Sequence, residues 1–161
     1  RVFEMATLAS DREARNLPRL TAALDDASEP IRWWAAQGCA MLRERAAPAQ
    51  AALRRRLDDP SGAVQVAAAE ALARMGQADA ALPVLERWLE KTDDPPLALQ
   101  AANVLDRLGP IALPSLPAMK RVLQRPAPAG DNVGREPPVP HRVLRRAVPE
   151  LEGRVPPLVY P

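Results

Sequence analysis

The sequence holds a single cysteine and a single histidine, and only 3% of its 161 residues are aromatic. One cysteine, Cys39, excludes any disulfide within the chain and reads as a small buried hydrophobe. His141 has no second histidine or neighbouring cysteine with which to close a metal site, and nothing positions triad partners around it. No metal site, no catalytic residue and no cofactor are therefore expected. The seven glycines are scattered and form no phosphate-cradling loop, so no nucleotide or other small-molecule ligand is expected either. No apolar run approaches the ~18 residues of a membrane span, and no membrane partner is expected. Charge of neither sign dominates: 22 Lys and Arg stand against 20 Asp and Glu, with 16 of each before Gln124. So even a balance argues against a nucleic-acid partner, because such proteins concentrate basic residues on one face.

What the chain does have is alanine, leucine and a repeat. Its 47% apolar content is enough for a core, and with so few aromatics that core must be built from Ala and Leu. Alanine is the best helix former and lets helix axes approach closely, which points to an all-α protein. Ile31, Val64 and Leu97 each begin one copy of a segment, spaced 33 residues apart. Counting from each of these, offsets four and five are Ala35-Ala36, Ala68-Ala69 and Ala101-Ala102. Offset six is polar (Gln37, Glu70, Asn103), and offsets eight and eleven are Cys39 and Leu42, Leu72 and Met75, Leu105 and Leu108. Offsets 0, 4, 8 and 11 share one face of a 3.6-residue helix, so each copy predicts an amphipathic helix. A period of this length predicts an α-solenoid, a right-handed superhelix of stacked helical pairs.

Read in order, residues 1–10 predict a short helix covering one end of the stack. Asn16 as N-cap and Pro18 in the first turn open a helix carrying Leu17, Leu20 and Leu24, and Ser28 caps its partner, which runs to about Arg43. The second pair is Pro48 to Leu57 and Gly62 to Met75, with Gly76 as the stop. The third is Asp79 to Glu90 and a helix opened by Asp94-Pro95-Pro96 and closed by Leu108-Gly109. Ala112 to Leu123 begins a fourth pair whose second helix does not follow on schedule. Residues 1–124 are thus expected to form one repeat domain of about 3.5 helical pairs. Nine prolines fall in residues 125–161, which predicts a mostly extended tail with one short closing helix at 139–151. The chain begins at Arg1 without a starter methionine or signal pattern, and a further N-terminal portion is expected.

Asp-Asp-Pro-Ser followed by Val-Gln-Val-Ala-Ala-Ala-Glu-Ala-Leu-Ala-Arg-Met-Gly (Asp58 to Gly76) resembles a HEAT or HEAT-like repeat, over roughly Asn16 to Leu123. That family places a basic residue just after the starting aliphatic. Here Arg32 does so, but Gln65 and Ala98 do not, so no continuous Asp–Arg ladder is expected. Three blocks also resemble the HEAT-like C-terminal segment of bacterial sulfatases: Ala-Ser-Asp-Arg-Glu-Ala-Arg-Asn-Leu-Pro-Arg-Leu, Pro-Ile-Arg-Trp-Trp-Ala-Ala-Gln-Gly and Arg-Val-Leu-Arg-Arg-Ala-Val-Pro-Glu-Leu-Glu-Gly. This resemblance implies a catalytic domain upstream, with a Cys/Ser-x-Pro-x-Arg motif oxidised to formylglycine beside a carboxylate-held divalent metal. Cys39-Ala-Met-Leu-Arg43 imitates the spacing but has Met41 in place of the proline, and Cys39 occupies a core offset, so it is not expected to be a nucleophile.

The candidate surface comes from offset two. Trp33, Val66 and Leu99 point roughly 200° from offset zero, away from the partner helix. They predict an apolar track for binding a protein partner or the chain's own upstream domain. Trp34, at offset three, is expected to be structural. Arg54-Arg55-Arg56 fans around its helix and reads as solvated surface with Asp58 and Asp59 nearby, whereas Arg142, Arg145 and Arg146 could share one side of the closing helix.

Overall fold

A computed structural model describes residues 1–91, 93–125 and 139–156. All regular structure among them is helical. In chain order the α-helices are α1 (Val2–Ser10), α2 (Leu17–Ala23), α3 (Glu29–Leu42), α4 (Gln50–Arg55), α5 (Gly62–Arg74), α6 (Ala78–Glu90), α7 (Pro95–Leu108), α8 (Leu116–Gln124) and α9 (Val139–Leu151). Short 3-10 turns precede α2, α4 and α8 and follow α4. The chain divides into two compact units, Arg1–Val84 and Leu85–Pro161, with the division inside α6. Residues 126–138 and 157–161, where an extended tail is expected, lie outside the described residues.

In the first unit α2 pairs with α3 and α4 with α5, and α3 lies along both α1 and α5. The alanine pairs explain how: Ala35, Ala36, Ala68 and Ala69 are all fully buried, so each helix offers little more than backbone at its contact. Leu20, Leu24, Leu42, Leu53 and Leu72 fill the space between first and second helices. At Gly38 an added Cβ would stand 2.8 Å from Leu20 Cδ2 and 3.1 Å from Ala9 Cβ, so Leu20 would have to shift to admit it.

Two expected caps are differently made. Asp26 Oδ1 accepts the Ser28 N–H at 2.8 Å, and the Ser28 side chain makes no capping bond. Asn16 donates from Nδ2 to the Leu8 carbonyl at 3.2 Å, tying α2 to the end of α1 rather than capping its own helix. Asn16 already has helical backbone angles (φ −81°, ψ −11°) rather than the extended ones of a capping residue. Ser61 does cap α5 through the Val64 N–H at 3.5 Å.

The second unit holds α7, α8 and α9. Asp94 caps α7 through the Leu97 N–H at 3.2 Å, and Pro95 and Pro96 occupy the turn where no N–H is required. The closing helix does more than cover an end. α9 packs along both α7 and α8, with Leu144, Ala147 and Val148 buried, as α5 packs along α3 and α4 in the first unit. It therefore takes the place of the second helix of the fourth pair, delayed by the residues before it. The physical reason is that α8, like every first helix, carries an apolar side (Ala118, Met119, Val122) that needs a partner.

Backbone conformation marks the second helices. Every positive φ among the described residues follows one of them: Arg12 after α1, Arg43 after α3, Gly76 after α5, Gly109 after α7 and Gly153 after α9. By this mark α1 is itself a second helix, 31 residues ahead of α3. Glu4 and Thr7 of α1 and Asp11 just after it are exposed at the positions where α3 buries Ala35, Gly38 and Leu42. The side that would face a first helix is polar instead.

Candidate functional site

Offset two of the second helices gives three different outcomes. Trp33 is half-buried on α3 and meets Trp34 edge to face, with centroids 4.8 Å apart and planes at 80°. Such a pair contributes roughly 0.5–1.5 kcal/mol beyond its burial and fixes the Trp33 ring. Leu99 of α7 is half-buried in the second unit. Val66 is 3% exposed and therefore belongs to the core rather than to a contact surface. The helical wheel placed its direction but not its reach: a short valine on a closely packed helix does not project past its neighbours, while an indole does. Of the proposed track, Trp33 and Leu99 remain reachable from outside, one in each unit.

Next to Trp33 on α3, Arg32 enters a buried ion pair. Arg32 Nε and Nη2 donate to Asp59 Oδ2 and Oδ1 at 2.8 and 2.9 Å, and Arg32 Nη1 donates to the Asp26 and Ala27 carbonyls, each at 3.0 Å. Asp59, expected at the surface beside the arginine run, is 2% exposed because this fork and the Ser61 amide at 2.9 Å satisfy both its oxygens. Burial alone would raise the Asp59 pKa, but hydrogen bonds from Arg32 and from the Ser61 N–H outweigh it and hold the carboxyl below the usual range. Asp26 receives Arg1 in the same way, so the Asp–Arg ladder has two rungs in the first unit. The first was hidden because α1 lacks the alanine pair that identifies a copy.

The arginine run spreads as expected: Arg54 bonds Gln77, Arg55 reaches Asp25 at 3.1 Å, and Arg56 reaches Asp25 and Asp59 at 3.3 Å each. Cys39 is fully buried, and burial pushes its thiol up to about 12, so no thiolate is available near neutral pH. His141 is half-buried with Nε2 3.4 Å from the Arg125 carbonyl. No group of three or more His, Cys, Asp or Glu among the described residues could hold a metal ion. No helix among them is long and apolar enough to cross a membrane.

The second unit also contains a cleft of about 450 Å³ between α7 and α9, lined by Asn103, Asp106, Arg107, Arg142, Val143 and Arg146. Arg142 and Arg146, one turn apart, share its wall, while Arg145 is exposed and is not part of it. Arg146 bonds Asp106 across the two helices. The sequence singled out Arg142 and Arg146 but not Arg107. The only available signal was Arg107 one turn after the polar sixth offset, Asn103.

This arrangement defines an all-α protein of repeated helical pairs in which a residue of positive φ closes each second helix. HEAT repeats match residues 17–106 and again 51–129. The chain belongs to the HEAT-repeat family. Among solved structures it is similar to the crystal structure of an engineered protein, a Northeast Structural Genomics Consortium target. That likeness has 17% identity and a TM-score of 0.56, and covers 86% of this chain. The chain spans 63% of that protein's length, and at this identity the likeness concerns the fold alone. No curated protein matches. The sulfatase resemblance therefore gains no support from the comparisons.

Proposed function

We propose that the chain is a noncatalytic interaction module that packs on a protein partner or on another domain of its own polypeptide. The Trp33 side of α3 is the contact in the first unit, and Leu99 contributes in the second. The observation that supports this most directly is the half-buried Trp33, reachable at the surface of α3 and held edge-on by Trp34. A large aromatic group already fixed in the free protein loses little conformational entropy on binding, which is the usual character of a binding hot spot. The HEAT family generally serves protein–protein contact, and the buried, protonated Cys39 offers no competing chemistry.

The test is isotope-labelled retention from extracts of the native host, comparing the wild type with Trp33→Asp after circular dichroism has shown equal helicity. A protein retained by the wild type, lost by the variant and rebinding when purified supports the reading. Equal retention of every protein by both forms sinks it.

A further inference from the structure

The 3-10 turns that precede α4 and α8, Arg43–Ala49 and Gly109–Ser115, are equivalent elements two repeat periods apart. Each buries one alanine completely, Ala46 and Ala112, and carries a proline at the same place, Pro48 and Pro114. Their exposed positions differ in kind. Where the first turn shows Glu44, Arg45 and Ala47 to water, the second shows Pro110, Ile111 and Leu113. Ile111 is 39% and Leu113 46% exposed. A pocket of about 120 Å³ lies between this second turn and the C-terminal half of α9, with Gly109, Pro110, Leu113, Ala147 and Leu151 as its apolar lining. The two carboxylates that also line it, Asp106 and Glu150, both face Arg146. Single apolar side chains at a surface are ordinary, but two on one turn beside an apolar pocket mark a place that something covers.

We propose that the chain's own C-terminal residues 157–161, Pro-Leu-Val-Tyr-Pro, dock on this turn, with Leu158 filling the pocket against Leu113 and Leu151. This contact is independent of the one at Trp33, which belongs to the first unit. Three features argue for this occupant. Beyond Arg154 the sequence carries no charged side chain, and Val155, where the apolar run begins, is 42% exposed. The chain also leaves α9 in the right place: Gly153 has φ 71°, and the Arg154 N–H donates to the Pro149 carbonyl at 2.9 Å, which turns the backbone at the helix end instead of continuing along its axis. From Leu151 in the pocket wall to Leu158 is seven residues, a reach of up to ~23 Å. Residues 126–138 enter α9 at its other end, and Val139 stands ~12–18 Å along the helix from Ala147 to Leu151. A volume of about 120 Å³ suits one aliphatic side chain rather than a free ligand, whose pockets run to roughly 300–1,000 Å³.

The experiment is disulfide trapping in the full chain carrying Leu113→Cys and Leu158→Cys, against which Cys39, fully buried and protonated, is a silent background. Mild oxidation with diamide is expected to join the two introduced thiols within one chain, read by mass spectrometry of the unreduced protein. Tethering alone also brings them together, so the control adds Val159→Asp and Tyr160→Asp, which keep the tether and remove the apolar drive. Trapping should then slow by about tenfold or more. A second readout needs no cysteine: Leu158→Asp should raise the fluorescence of an apolar-surface dye severalfold over the wild type, and adding Leu113→Asp should remove most of that rise. Three results would overturn the proposal. They are equal trapping rates with and without the aspartates, a bridge that forms only between chains and vanishes on dilution, or a wild type that binds the dye as strongly as Leu158→Asp does.

Discussion

The α3/α5 seam of the first unit and the α7/α9 seam of the second join equivalent helices by different means. In the first, buried alanine meets buried alanine, and the one ion pair is sunk in the core with the Arg32 side chain 9% and the Asp59 side chain 0% exposed. In the second, α9 buries Leu144, Ala147 and Val148 but carries no alanine pair, and its arginine sits at the rim, with Arg146 39% and Asp106 6% exposed. A second helix arriving on the 33-residue period brings the alanine pair that permits close approach. One arriving late lacks that pair, and a cleft lined with charged residues runs along its edge. The same architecture thus gives a tight joint in one unit and an accessible groove in the other.

Removing one arginine from each seam should separate them most sharply. Arg32→Ala leaves Asp59 buried with Arg56 at 3.3 Å as its remaining charged partner and is expected to cost about 3–5 kcal/mol. Arg146→Ala should cost less than about 1 kcal/mol, because its guanidinium is more than a third exposed and water screens the pair. Urea unfolding of both variants checks the contrast, and equal costs would erase it. The Asp59 pair also carries a pH signature. Its carboxyl titrates below its unfolded value, so its stabilisation is complete above about pH 4 and is lost as pH falls through the lower folded value. Asp59→Asn should remove that share of the acid dependence of the urea midpoint.

A smaller effect tests how closely α3 packs on α2 in the first unit. Gly38→Ala improves helix propensity by about 1 kcal/mol, yet its Cβ would meet two Leu20 methyls at 2.8 and 2.9 Å. Overpacking should win, with a net loss of about 1–2 kcal/mol by thermal or urea unfolding. A stabilised variant would mean that Leu20 yields easily and that α2 and α3 are less tightly joined than their alanines suggest. The smallest effect concerns the marks that end the second helices. Arg43 (φ 55°, ψ −132°) adopts the same backbone conformation as Gly109 (φ 54°, ψ −127°). A side chain is strained there, so Arg43→Gly should stabilise the protein by about 0.5–1 kcal/mol in the same assay.

Legibility in the sequence followed locality. The Asp94-Pro95-Pro96 opening and the Leu108-Gly109 close of α7 were readable because a cap, two prolines and a glycine act on the backbone within one turn. α9 was readable as a helix from Val143, Leu144, Ala147 and Val148, but its role was not. The absence of an alanine pair and the delay before it concealed its equivalence to α3, α5 and α7. α1 escaped for a similar reason, with Glu4 and Met5 in place of the pair. In the candidate surface, Trp33 and Leu99 could be placed by angle, whereas Val66 could not, since burial depends on the height of neighbours that the wheel does not contain.

The sequence alone determined which segments are helical, their 33-residue phase and the family, because proline, glycine and apolar periodicity act within a few residues along the chain. Only the tertiary structure decided that Asp59 is buried beneath Arg32, that Val66 is inside, that α9 completes a pair with α8, and that Arg107 shares a cleft with Arg142. Each of these depends on the distance between residues far apart in sequence, and that distance is fixed by how closely the helices between them can pack.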